Sequence, residues 1–151
     1  MTIAESLQVV TRLFLDSAPV IYYIEEDTRY FALIDAIFDL ISDGSIMGVT
    51  SPVTVAECLV RPYRLGQTQL QQGFIELITD NDKLEFVPLV DEDIAIQAAQ
   101  IRGRYNLQLP DAFQIAVALA PGCEALLTND ATFRRVTELR VLVLDDLDTA
   151  E

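Results

Sequence analysis

The chain has 151 residues, 51% hydrophobic and 23% charged, which makes one ordinary domain able to bury a core without disulfides or a structural metal. It has no histidine, a single lysine (Lys83) and two lone cysteines, Cys58 and Cys123. Those absences exclude the Ser-His-Asp triad, Cys-His nucleophiles, histidine-ligated zinc or iron, a GK[ST] phosphate loop and a disulfide framework. With 24 acids against 10 bases the formal charge is −14, so its chemistry has to run on carboxylates, hydroxyls and whatever cations they bind.

No repeat or linker interrupts the chain. Residues 11–16 (TRLFLD) read as a buried strand stopping at an acid. Ser17 and Pro19 then open a helix through VIYYI. Phe31, Ile34, Ile37, Phe38 and Ile41 recur at helical spacing up to Asp43-Gly44. Residues 46–50 (IMGVT) are a second strand, followed by Ser51 as N-cap, Pro52 in the first turn and a helix VTVAECLV that Pro62 is expected to terminate. Residues 68–79 read as another helix. Residues 84–89 (LEFVPL) are a third strand, placed at an edge because Pro88 cannot donate to a ladder.

Asp91 caps a helix carrying Ile94, Ala98, Ile101 and Tyr105. Leu109-Pro110-Asp111 opens the apolar helix AFQIAVALA, closed by Pro121-Gly122. Residues 125–128 (ALLT) are a fourth strand running into Asn129-Asp130, TFRRV a short helix, and residues 141–144 the last strand. Strands alternating with helices predict a three-layer α/β/α sandwich around a mainly parallel sheet. Residues 11–148 form this single domain. Residues 1–10 stand before it, either as a leader or as an extra packing segment. No apolar run approaches the ~20 residues of a membrane helix, and Glu5 lies where a signal peptide wants a basic patch. A cytoplasmic protein is expected.

Ligands of an open parallel sheet gather beyond the carboxyl ends of its strands. Asp16 ends the first strand, Asp130 lies just past the fourth, Asp111 sits in a first helical turn and Glu57 in the helix after the second strand. Each alone has a plain reading as a strand end, helix cap or dipole-favoured acid. Glu57, among Val55, Ala56, Cys58 and Leu59, is expected to be partly buried. Four carboxylates meeting at one sheet edge repel unless protonated or neutralised by a cation. An all-oxygen set with no histidine selects Mg²⁺ or Mn²⁺.

The segments LFLDSAPVI, VTVAECLVRP, LPDAFQIAVAL and LLTNDATF resemble those of PIN-domain ribonucleases, particularly the VapC-like toxins of type II toxin–antitoxin pairs. The resemblance spans residues 11–144 and is most specific across LPDAFQIAVAL and CEALLTNDATF. It implies that Asp16, Glu57, Asp111 and Asp130 form a metal-binding catalytic site, supported by Ser17, Thr128 and Asn129. It also implies RNA cleavage, dimerisation and inhibition by a co-expressed protein antitoxin. Hydrolysis at such a site activates a water and leaves a 5′-phosphate and a 3′-hydroxyl. Asp16 and Asp111 are then metal ligands, Asp130 a second ligand or a water-positioning group, and Glu57 a ligand or base.

Substrate contacts fall to the arginines: Arg61 and Arg64 after the Glu57 helix, Arg134 and Arg135 after Asp130. Tyr22, Tyr23, Phe31, Ile34, Phe38 and Ile41 read as core, with any exposed remainder suited to a dimer or antitoxin contact. Members of the family often carry an extended basic surface, whereas this chain stands at −14. The alternative is a non-catalytic PIN-like module that binds a protein partner.

Overall fold

Five short, mostly apolar parallel strands need helices over both faces of their sheet. The computed structural model, which describes residues 1–89 and 91–149, has this arrangement. The strands are β1 (Arg12–Leu15), β2 (Met47–Thr50), β3 (Leu84–Phe86), β4 (Ala125–Thr128) and β5 (Arg140–Val143). All pairings are parallel, in the order β3-β2-β1-β4-β5. β3 is an edge strand, as Pro88 predicted, but it ends at Phe86. Only the Val87 N–H continues the ladder, to the Thr50 carbonyl at 2.9 Å.

The helices are α1 (Ile3–Ser6), α2 (Ser17–Ile24), α3 (Phe31–Ser42), α4 (Pro52–Arg64), α5 (Thr68–Thr79), α6 (Glu92–Tyr105) and α7 (Leu109–Leu119). Alternate strand residues feed two cores. Leu13, Leu15, Ala125, Leu127 and Leu142 pack with α2–α5. Phe14, Val49 and Leu126 pack with α6 and α7. The period-2 alternation of a strand thus sorts side chains that the sequence alone shows as one apolar run.

One detail differs from the sequence reading. Pro62 does not end α4: the helix continues to Arg64, and Leu65 N–H donates to Arg61 O at 3.0 Å. A proline so close to the C-terminus removes a single helical bond. Its own carbonyl is satisfied by Gln67 N–H at 2.9 Å and Gln71 Nε2 at 3.1 Å. Residues 1–10 pack on the sheet's second edge. Thr2 and Glu5 form a reciprocal cap on α1, Ile3, Leu7 and Val10 are buried, and Thr2 bridges Asp148 in parallel. The early-helix aromatics stack on one another: Tyr23 lies 4.0 Å from Phe38 and Tyr22 4.5 Å from Tyr30, centroid to centroid. Among the described residues no helix is long and apolar enough to cross a membrane.

Candidate metal centre

The strand order reverses between β1 and β4, which opens a crevice at their carboxyl ends. Asp16 leaves β1 there and Thr128 closes β4. Asp16 is only 6% exposed. It stands at the N-cap of α2, yet its side chain makes no cap bond. Instead Oδ2 accepts from the Thr128 hydroxyl at 2.8 Å and Oδ1 from Gln114 Nε2 at 3.3 Å. Burial raises its carboxyl above the ordinary range, with Thr128, the Ser17 N–H and Gln114 giving partial relief and Asp130 adding to the rise.

Asp111 occupies the first turn of α7, after the Pro110 that opens the helix. Burial, then the charges of Asp16 and Asp130, raise its carboxyl to about 6. Glu57 lies on the crevice side of α4 and is exposed, which corrects the expectation of partial burial. Its apolar sequence neighbours mislead because α4 buries Thr54, Cys58 and Pro62 along one stripe and turns Glu57 away from it. Its carboxyl is nonetheless raised by desolvation and by Asp16 and Asp111, with the Ser17 hydroxyl opposing. Asp130 caps the short 3₁₀ helix Ala131–Arg135: Oδ1 accepts from Thr132 N at 2.9 Å and Thr132 Oγ1 at 2.7 Å.

Glu57, Asp111 and Asp130 line one polar pocket of ≈ 460 Å³ together with Asn106, Gln108, Thr132 and Arg135. An apolar groove of ≈ 440 Å³ adjoins it across Glu57, lined by Val53, Ala56, Leu109 and Phe113. As placed, no three His, Cys, Asp or Glu side chains among the described residues form a group that could hold a metal ion. The carboxyls of Asp16, Asp111 and Glu57 are nonetheless raised in part by the charges of neighbouring acids of the four.

A buried network that the sequence reading did not assign holds Asp16. Gln114 is fully buried on α7, accepts from the Ser51 hydroxyl and donates to Thr54 Oγ1 at 2.8 Å. Thr54 in turn donates to Leu15 O at 3.0 Å, beside Asp16. The signal was a lone amide in the apolar run AFQIAVALA, which has to find partners when buried.

Thr128 donates to Asp16 and accepts from Asp130 N–H at 3.0 Å. Asn129 turns elsewhere, donating to Tyr22 OH and accepting from Asp145 N, each at 3.3 Å. The arginines separate. Arg61 and Arg64 are exposed on α4 at i+4 and i+7 from Glu57. Arg134 pairs with Asp146 at 2.6 Å, and Arg135 lines the acid pocket.

Comparison with known structures places this architecture. The VapBC2 complex of Rickettsia felis, bound to a promoter DNA fragment, includes a chain that superposes with a TM-score of 0.68 at 14% identity, covering 88% of this chain and 98% of that one. A toxin–antitoxin complex from Klebsiella pneumoniae gives 0.63 at 20% identity, covering 87% and 97%. VapC20 of Mycobacterium tuberculosis, described as a sarcin-ricin loop cleaving toxin, gives 0.62 at 14%, covering 76% and 86%. No curated protein sequence matches the chain. Residues 13–139 match the PIN domain family, and the chain belongs to that family.

Proposed function

We propose that this protein is a divalent-metal-dependent endoribonuclease and the toxin of a toxin–antitoxin pair. The observation that carries the reading is that Asp16, Asp111, Glu57 and Asp130 lie around the crevice between β1 and β4, with the first three carboxyls raised by burial and by neighbouring acids of the set. The donor set is all oxygen, and a hard divalent cation is what relieves mutual repulsion among carboxylates. Asp16 and Asp111 would hold Mg²⁺ or Mn²⁺, with Asp130 as a further ligand or water-positioning group and Glu57 as a ligand or base. When bound, the ion supplies Lewis-acid stabilisation of the charge that develops on the phosphate.

The chain's own groups account for the rest. A carboxylate takes a proton from the attacking water as the water oxygen bonds to phosphorus, the P–O3′ bond breaks, and the departing 3′ oxygen takes a proton from solvent. The products are a 5′-phosphate and a 3′-hydroxyl, with no use of the 2′-hydroxyl. The raised Glu57 carboxyl makes it a stronger base toward that proton than an ordinary glutamate. RNA as substrate is supported by the description of the tuberculosis relative. An antitoxin partner is supported by the toxin–antitoxin complexes among the structural neighbours, including VapBC of Salmonella typhimurium. A cytoplasmic homodimer belongs to the same reading.

The test is calorimetric titration with Mn²⁺, wild type against Asp16→Asn. Saturable binding lost in the variant supports a working acid site. No binding to the wild type overturns it and favours the second reading, a non-catalytic partner-binding module, to which the charge of −14 and the pairing of Arg134 with Asp146 point.

A further inference from the structure

Arg135 shares the acid pocket with Glu57, Asp111 and Asp130, yet among the described residues it forms no ion pair with any of them. An arginine in such surroundings ordinarily collapses onto a carboxylate in bidentate fashion. Here a tether holds it back. Nη1 donates to Tyr105 O at 3.1 Å and to Asn106 O at 3.2 Å, carbonyls left open where α6 ends. That end is itself fixed: Asn106 is left-handed at φ 55°, and Arg102 Nη1 donates to the next carbonyl, Leu107 O, at 2.5 Å.

A guanidinium carries five N–H groups. The tether engages Nη1, and Nη2 and Nε have no protein acceptor among the described residues. Asn106 and Gln108 line the same pocket, so neutral amides accompany the cation. The neighbouring Arg134 differs, because its Nη2 is bonded to Asp146.

We propose that Arg135, tethered by the carbonyls at the end of α6, forms an oxyanion-binding subsite beside the acids, and that its ligand is a phosphate of single-stranded RNA. This rests on the nuclease reading above and assigns the side of the pocket that holds the substrate's charge. The tether keeps the cation from neutralising the carboxylates, so the acids stay open to a metal while the guanidinium stays open to a phosphate. One pocket then binds groups of both signs, which suits a strongly acidic chain that must hold a polyanion.

The test is fluorescence anisotropy with a short labelled single-stranded RNA, with Ca²⁺ replacing Mg²⁺ to slow hydrolysis, and Mn²⁺ calorimetry on the same proteins. Arg135→Gln is expected to weaken RNA binding by about tenfold or more and to reduce the salt slope by about one. Arg135→Lys, which keeps the charge but not the fork, should recover part of the loss. Arg134→Ala should change RNA affinity less than about twofold, and Mn²⁺ affinity should hold in all three variants. Equal RNA affinity of wild type and Arg135→Gln, including equal failure to bind, overturns the subsite. Parallel loss of Mn²⁺ binding and melting temperature also overturns it, because Arg135 then serves only to close α6. Failure of the wild type to bind Mn²⁺ sinks the nuclease reading instead, so the two failures are distinct.

Discussion

The Thr128 hydroxyl donates to Asp16 Oδ2 at 2.8 Å and accepts the Asp130 N–H at 3.0 Å, so one side chain ties the ends of β1 and β4 together. Thr128 is fully buried and has no alternative partner in water. A group that orients a metal-binding carboxylate typically changes affinity by about 10- to 100-fold when lost. Thr128→Val should therefore weaken Mn²⁺ binding by that order, measured by calorimetry, while Thr128→Ser retains most of it. Wild-type Mn²⁺ affinity in Thr128→Val would leave the hydroxyl no part in positioning Asp16.

Much of this arrangement was legible because strands and acids announce themselves. TRLFLD and ALLTND each show an apolar run stopping at polar residues, and those ends become the crevice. Gln114 was not legible as a support, since nothing in AFQIAVALA says which strand end its amide will reach. Glu57 was misjudged because sequence neighbours in a helix point in different directions, and only the packed face shows which are inside. The separate fates of Arg134 and Arg135 depend on one being near Asp146 and the other near the end of α6, contacts distant in sequence.

Gln114 makes three hydrogen bonds without exposure to water: with Ser51, with Thr54 and with Asp16. Gln114→Leu fills a similar volume but leaves those polar partners short of a bond. Each unsatisfied buried group costs about 1–3 kcal/mol, and the groups form one network whose losses do not simply add. A loss of about 2–4 kcal/mol in urea unfolding is expected. A change within experimental error would mean that the surrounding groups find other partners.

On the proposed nuclease reading, Asp111 contributes a pH dependence to the site. Its carboxyl rises from 3.8 to about 6 through burial and the charges of Asp16 and Asp130. A metal binds the carboxylate, so a proton must leave first. Mn²⁺ affinity should thus climb as pH rises through about 6 and level off above it. Stability of the metal-free protein runs the other way. Between the two values the folded chain holds a proton that the unfolded chain has lost, so this contribution is full below 3.8 and disappears as pH rises through about 6. Calorimetry and chelator-treated thermal melts across that window check both signs, with Asp111→Asn removing both effects.

Glu124 shows the opposite linkage, away from the crevice. Some desolvation raises its carboxyl, but the Thr11 hydroxyl and the Arg12 and Thr11 N–H groups outweigh it and hold it at about 2. The bonds are 2.6, 2.8 and 2.9 Å, and they join the start of β1 to the residue before β4. Its stabilisation is present above the ordinary value of 4.5 and fades as pH falls toward about 2. Because the side chain is exposed, Glu124→Gln should cost only about 1 kcal/mol at neutral pH. The wild-type advantage should vanish in acid, and an advantage that persists there would assign it to packing.

The segment before β1 is bound to the C-terminal end of the chain. Met1 O accepts the Asp148 N–H at 2.9 Å, Ile3 N–H donates to Asp148 O at 3.2 Å, and Arg140 donates to Ser6 O. Ile3, Leu7 and Val10 are buried in the same core as Leu13, Leu144 and Leu147. That burial makes residues 1–10 part of the folded unit, and Leu7→Ala should cost about 2–4 kcal/mol. The crevice lies at the opposite ends of the strands, so Mn²⁺ affinity of Leu7→Ala, measured well below its melting temperature, should equal that of the wild type. A loss of metal binding in this variant would show that the packing of α1 reaches through β1 to Asp16.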